Sequence, residues 1–208
     1  MQPAWQFGSF LPWLDWFGIG VFAMTGALAA TRAQQTFVTA AFFAVVTGVG
    51  GGTIRDLLIA APVFWVQDRN FAAICLGAAL LVWVTPERWW SDKVFDWLDA
   101  LGLAAYAVFG AAKSYGYGIP PIPAAMMGVI TACAGGIIRD MMAGKPSILM
   151  RPELYVTAAA LASFLYIGLR ELGVMAWVAA VIAAAAAFAL RGLAIHYRLA
   201  LPAYRGKR

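Results

Sequence analysis

Sliding the sequence along itself by 84 residues brings its two halves into register. Asp15 falls on Asp99, Gly18 on Gly102, Gly26 on Gly110 and Thr47 on Thr131. The match continues through Gly51-Gly52 with Gly135-Gly136, Ile54-Arg55-Asp56 with Ile138-Arg139-Asp140, and Pro62 with Pro146. Over 15–58 against 99–142, 14 of 44 positions are identical without a gap. Chance matching in an Ala-rich chain is about 10%, and chance would not favour the rare charged residues. Each copy holds three apolar runs. An odd number of crossings delivers the chain to the opposite side, so the second copy is inverted relative to the first. Inverted repeats recur in transport proteins, with the pathway at the interface between the copies.

Composition supplies the solvent. Of 208 residues, 63% are hydrophobic and 12% charged, where a soluble domain carries about 25% charged residues. Mean hydropathy is +0.78. The charges sit in short islands between apolar runs of about 17–22 residues, long enough to cross a hydrocarbon core of ~30 Å as helices. The sequence predicts an all-α integral membrane protein with spans near 12–31, 38–60, 70–86, 97–113, 122–143, 153–170 and 173–191. These form one membrane domain over 1–208. Repeat one covers about 12–90, repeat two about 96–172, a seventh helix about 173–191 and a basic tail 192–208. No Lys or Arg precedes the first apolar run, so a cleaved signal is not expected there. Trp13, Trp16, Trp65, Trp89, Trp90 and Trp97 fall near span ends, where an amphipathic ring prefers the interface.

The placement of charge orients the chain. Arg69, Lys113 and Arg170 belong to the N-terminal side. Arg32, Arg88, Lys93, Lys145, Arg151, Arg191, Arg198, Arg205, Lys207 and Arg208 belong to the C-terminal side. Ten against three predicts a C-terminus in the cytoplasm and an N-terminus outside, in the cytoplasmic (inner) membrane. The net charge of +5 is concentrated after the last span. It therefore fits a tail lying on anionic lipid headgroups rather than a nucleic-acid surface. Cys75 and Cys133 lie inside apolar runs and read as small buried hydrophobes. His196, in the basic tail, is not expected to ligate metal or to catalyse.

The chemistry gathers in Thr47-Gly48-Val49-Gly50-Gly51-Gly52-Thr53-Ile54-Arg55-Asp56 and in Thr131-Ala132-Cys133-Ala134-Gly135-Gly136-Ile137-Ile138-Arg139-Asp140. Glycine frees backbone angles and removes side-chain bulk. A Gly cluster at mid-membrane can therefore kink a helix, exposing carbonyls to a cation and amides to an anion. The simpler reading is close helix packing. Arg55-Asp56 and Arg139-Asp140 lie within spans, where uncompensated charge costs several kcal/mol. Arg55 and Asp15 lie at matching depth, roughly 9–10 Å from the midplane, and Arg139 matches Asp99 on the other side. Ion pairs Asp15–Arg55 and Asp99–Arg139 are expected, either stapling helices or facing a pore. Asp15, Gly18, Phe22 and Gly26 share one helix face, repeated by Asp99, Gly102, Tyr106 and Gly110. Lys113 breaks the symmetry, since its counterpart is Ala29. It is either a lysine snorkelling at a helix end or a voltage-responsive, cation-repelling charge at the outer mouth.

Doubled Gly clusters followed by Arg-Asp, in two inverted repeats with a seventh helix, resemble the prokaryotic trimeric intracellular cation (TRIC) channel family. Its bacterial branch is also called a putative glycine transporter family. The resemblance covers about 12–192. It implies a homotrimer with one pore in each protomer, permeable to monovalent cations and chiefly potassium. It also implies second and fifth helices kinked at Gly48–Gly52 and Gly135–Gly136 and lining that pore. Thr47 and Thr131 beside the kinks can offer hydroxyl oxygens to a partly dehydrated cation. The alternative is a carrier for glycine or another small amino acid, whose carboxylate and ammonium would meet the half-helix amides and carbonyls. An intramembrane enzyme finds no nucleophile–base or metal constellation, and a retinal protein would need a Lys in the seventh span. No cofactor is expected.

Overall fold

In the computed structural model the chain is described over residues 11–150 and 153–202. Arg151, Arg205, Lys207 and Arg208, counted above toward the C-terminal side, lie outside the described residues. Eight α-helices follow one another: α1 (Leu11–Arg32), α2 (Phe37–Leu58), the single turn α3 (Phe64–Gln67), α4 (Arg69–Val84), α5 (Asp92–Gly116), α6 (Pro121–Met142), α7 (Val156–Glu171) and α8 (Ala176–Tyr197). Five of them (α1, α2, α5, α6 and α8) are long and apolar enough to cross a membrane. The 16-residue α4 and α7 reach ~24 Å at 1.5 Å per residue. The protein is a multi-pass, all-helical membrane protein.

The local signals are ordinary ones. Thr36, Asp68 and Ser91 cap α2, α4 and α5 by accepting the N–H of Thr39, Asn70 and Val94, meeting donors a helix start leaves orphaned. Pro121 opens α6, where a missing N–H is harmless. The same stop ends both motif helices. Ala61 N–H bonds Asp56 C=O at 2.8 Å and Lys145 N–H bonds Asp140 C=O at 3.0 Å. Between them Ala60 and Gly144 take positive φ, 53° and 65°. Gly144 does so freely, whereas Ala60 carries a Cβ into the left-handed region.

Helices α1, α2 and α4 pack together, as do α5, α6 and α7, with α8 against α5 and α7. The two triplets meet through α1 on α5 and α2 on α6, and the meeting is reciprocal. A Cβ built on Gly18 would lie 3.2 Å from the Tyr106 ring, and one on Gly102 3.2 Å from the Phe22 ring. Within each triplet, a Cβ on Gly26 would stand 2.6 Å from Thr47 Oγ1 and one on Gly110 2.6 Å from Thr131 Oγ1. At the centre a Cβ on Gly51 would overlap the Thr131 carbonyl oxygen, and one on Gly135 would stand 2.7 Å from the Thr47 carbonyl oxygen. The helices α2 and α6 thus cross antiparallel, backbone on backbone. Both Gly clusters lie within continuous α-helix, in α2 and α6. Lipid provides no hydrophobic drive between helices, so close backbone approach at these glycines supplies the contact.

One boundary is corrected. The seventh span is expected to end at about Arg191, but α8 continues to Tyr197, through the first residues of the expected tail. Arg191 is buried, paired with Glu153 at 2.6 Å and stacked 5.5 Å over Tyr155. An arginine inside a helix end is tolerated once a carboxylate folds onto it, and local hydropathy is blind to that.

Gly51→Ala is expected to lower the thermal midpoint and the monodisperse yield of the detergent-solubilised protein. Gly77→Ala, whose added Cβ meets nothing within 4 Å, is expected to lower neither, as size-exclusion chromatography and thermal unfolding would register.

Candidate functional site at the repeat interface

The crossing of α2 and α6 gathers the first set of expected site residues. The Thr47 and Thr131 carbonyls face Gly135 and Gly51 across the crossing, while their hydroxyls turn to Gly26 and Gly110 within their own triplets. Thr131 Oγ1 donates to the Met127 carbonyl at 2.6 Å. Thr47 Oγ1 is buried with no hydrogen-bond partner among the described residues. The Gly48 carbonyl accepts a hydrogen bond from Tyr106 Oη at 3.2 Å. Around the crossing, Gly50 admits the Ile138 side chain, Gly52 the Phe64 ring and Gly136 the Tyr155 hydroxyl. The centre is therefore tight, and the unsatisfied Thr47 hydroxyl lies beside it, toward Gly26 of α1.

Because α2 and α6 cross antiparallel, their Arg-Asp motifs sit at opposite ends of the bundle. Each motif folds in the same way. Arg55 Nε donates to Asp56 Oδ1 at 2.9 Å, and Arg139 Nε to Asp140 Oδ1 at 2.9 Å. The second carboxylate oxygen turns to the chain leaving the helix. Asp56 Oδ2 accepts the Phe64 N–H at 3.1 Å, and Asp140 Oδ2 the Ile148 N–H at 2.9 Å. Both acceptor–donor spacings are 8 residues, and Phe64 and Ile148 are themselves repeat equivalents. A charge-assisted bond to backbone N–H is among the stronger kinds. In both repeats the aspartate is thus a clasp on the loop that follows the helix.

Beyond the clasp the two ends diverge. At the Arg139 end, the guanidinium also reaches Asp99 at 2.6 Å and Thr25 Oγ1 at 3.1 Å, and stacks 4.7 Å over Phe95. The expected Asp99–Arg139 pair is present. Its expected mirror, Asp15–Arg55, is not formed. Arg55 turns to Asp56 at 2.8 Å and lies 5.1 Å over Phe109, while Asp15 Oδ1 is buried without a hydrogen-bond partner among the described residues. The physical reason is a third group. Lys113 Nζ, 2.8 and 2.9 Å from the two oxygens of Asp56, adds a second cation. Two carboxylates there face two cations without any single pair carrying the balance. Lys113 is 4% exposed, so it does not snorkel.

Lys113 also decides how open each end is. At its own end Asp56 is fully buried, under the ammonium and the Phe64 ring, which lies 5.6 Å from Nζ. At the other end the equivalent residue is Ala29, and a cavity of 330 Å³ opens, lined by Ala29, Arg139, Asp140 and Ile148, with Asp92 and Asp96 on its wall. Sequence reasoning missed Phe64, Thr25, Phe95 and Phe109 as partners of the charges. Only the eight-residue step from Asp56 to Phe64, repeated from Asp140 to Ile148, carries a trace of them.

Comparison with known proteins places this architecture. The sequence model of the family described as "Glycine transporter" matches twice, over residues 12–87 and 96–171. The chain is 35% identical over 202 residues to a UPF0126 membrane protein of Vibrio cholerae, covering 94% of this chain and 83% of that one. It is 39% identical over 149 residues to a UPF0126 inner membrane protein of Escherichia coli, covering 70% and 72%. The solved TRIC trimeric intracellular cation channel orthologue from Rhodobacter sphaeroides superposes with a TM-score of 0.86 at 38% identity, covering 92% of this chain and 100% of that one. These relatives are membrane and channel proteins, and none is named as an enzyme.

The two ends make different demands on stability. Asp99→Asn strands the Arg139 charge beside a single carboxylate, and breaking such a buried pair costs about 3–5 kcal/mol. Asp15→Asn removes no direct ion pair and is expected to destabilise less. Equal losses of thermal midpoint for the two variants would contradict the asymmetry.

Proposed function

We propose, from the premise that this chain belongs to the TRIC family, also described as the glycine transporter family, that it is a passive channel for monovalent cations, chiefly potassium. The observation that carries the reading is the buried, unsatisfied hydroxyl of Thr47 midway along α2, with the Gly48 carbonyl next to it in sequence, in a bundle that holds a charged cluster at each end. Buried oxygens at mid-bundle replace water around a partly dehydrated cation, while the flanking carboxylates hold cations near the path.

Several finer assignments belong to this reading. Seven helices (α1, α2, α4, α5, α6, α7 and α8) cross the membrane, with α3 as an outer turn. The positive-inside distribution sets the C-terminus and the Arg139 end in the cytoplasm, the N-terminus and the Lys113 end outside, in the inner membrane. The protein is a homotrimer, each protomer with its own pore. Exposed Leu76, Leu80 and Trp83 of α4, with Trp177 and Val181 of α8, cover themselves with lipid or neighbouring copies. In the closed bundle α2 and α6 are pressed together at Gly51 and Gly135. Opening bends them at Gly48–Gly52 and Gly135–Gly136, where no Cβ resists the change. Lys113 with Asp56 closes the outer mouth, and its charge is the one that a membrane potential would move.

A glycine carrier is the competing reading, supported by the family's other description. Planar-bilayer recording of the purified protein under a potassium gradient, with glycine as competitor, separates the two. Unitary potassium currents insensitive to glycine are expected, with Thr47→Val altering conductance or ion preference. Saturable glycine uptake without unitary currents would overturn the channel.

A further inference from the structure

The internal repeat supplies its own ligand-bound reference. In one half, the Asp56 carboxylate receives a primary ammonium, Lys113 Nζ, on both oxygens at 2.8 and 2.9 Å. In the other half, the Asp140 carboxylate has the same Arg partner, the same clasp on the residue eight positions on, and the same helix end. What it lacks is the ammonium, because Ala29 stands where the repeat places Lys113. Ala29 and Asp140 both line the 330 Å³ cavity at that end. Its size, at ~30 Å³ per water, gives room for about ten waters.

The electrostatics of the cavity favour a cation. Its wall carries Asp92, Asp96 and Asp140 against Arg32, Arg139 and Lys145. Arg139 is already held from behind by Asp99 at 2.6 Å, and Arg32 by Asp92 at 3.2 Å. Over the repeat-equivalent positions, Asp99 and Asp140 share one cation, Arg139, whereas Asp15 and Asp56 at the other end are balanced by Arg55 and Lys113. Asp99 Oδ2 is buried behind Arg139 without a hydrogen-bond partner among the described residues. The surplus carboxylate charge therefore lies beside the cavity.

We infer that this cavity is a binding vestibule for one small monovalent cation, a potassium ion or a protonated primary amine, received by Asp140 as Asp56 receives Lys113. The inference rests on the reading of the chain as a cation pathway, and it adds an entry site at one mouth. The cation enters with most of its water, since the cavity is larger than an ion, and is held on the carboxylate face that the lysine covers in the other repeat. One end of the pathway is thus closed by a tethered cation and the other is loaded by a free one.

A binding measurement that needs no current tests this. The full chain is unfolded thermally in detergent with potassium chloride, or methylammonium chloride, replacing N-methylglucamine chloride at constant ionic strength. Both small cations are expected to raise the midpoint of the unaltered protein by about 2–4 °C. Ala29→Lys brings its own ammonium to Asp140 and is expected to abolish that dependence while remaining folded. Asp140→Asn keeps an acceptor for the Ile148 N–H and is expected to abolish it as well. A midpoint indifferent to the cation in the unaltered protein, or a response that survives either substitution, overturns the vestibule. Potassium currents without a midpoint response leave the channel standing and remove the vestibule. A response abolished by Ala29→Lys in a protein that passes no current keeps the vestibule and removes the channel.

Discussion

Charge buried in a helical bundle has to be neutralised within the chain, and the two Arg-Asp motifs organise everything around that demand. Each arginine is held by the aspartate next to it, and each aspartate spends its second oxygen on the backbone eight residues later. One carboxylate therefore compensates a cation, ends a helix and fixes the path of the following loop. Removing it would strand an arginine and release a turn together. This coupling gives the Arg-Asp neighbours a local logic, since each arginine finds its first carboxylate one residue away, without a distant segment.

Between those ends the structure is governed by contact distance. The α2–α6 crossing is set by Gly51 and Gly135 against the Thr131 and Thr47 carbonyls, and the α1–α5 contact by Gly18 and Gly102 under two aromatic rings. Four glycines in two equivalent pairs thus set how closely the repeats approach within an apolar core that both share. The crossing itself is made mostly of backbone, with Ile138 seated on Gly50 beside it.

Symmetry makes the scaffold, and departures from it make the two ends different. Lys113 against Ala29 turns one mouth into a sealed, charge-balanced cluster and leaves a polar cavity at the other. Phe109 against Thr25 changes what each arginine meets across the repeat interface, a ring on one side and a hydroxyl on the other. An inverted repeat with identical ends would present the same mouth to both sides of a membrane. These two differences are the ones that meet the buried arginines and aspartates directly.

The sequence by itself determined the repeat, its inversion, the helical class and the family. These depend on hydropathy and on residue identity at a fixed offset, both local properties of the string. It also placed Asp99 opposite Arg139, because matched depth in a bilayer follows from counting residues along straight helices. Counting alone did not decide which partner Arg55 would take. Asp15 lies at the right depth, but rotation about the helix axes and the arrival of Lys113 from α5 gave Arg55 and Asp56 another solution. The burial of Arg191 under Glu153 was likewise settled only where distant segments meet. So was the backbone crossing at the Gly clusters, because a missing Cβ does not say which helix approaches it. In this fold it is the equivalent helix of the other repeat, which carries the same gap at the same height.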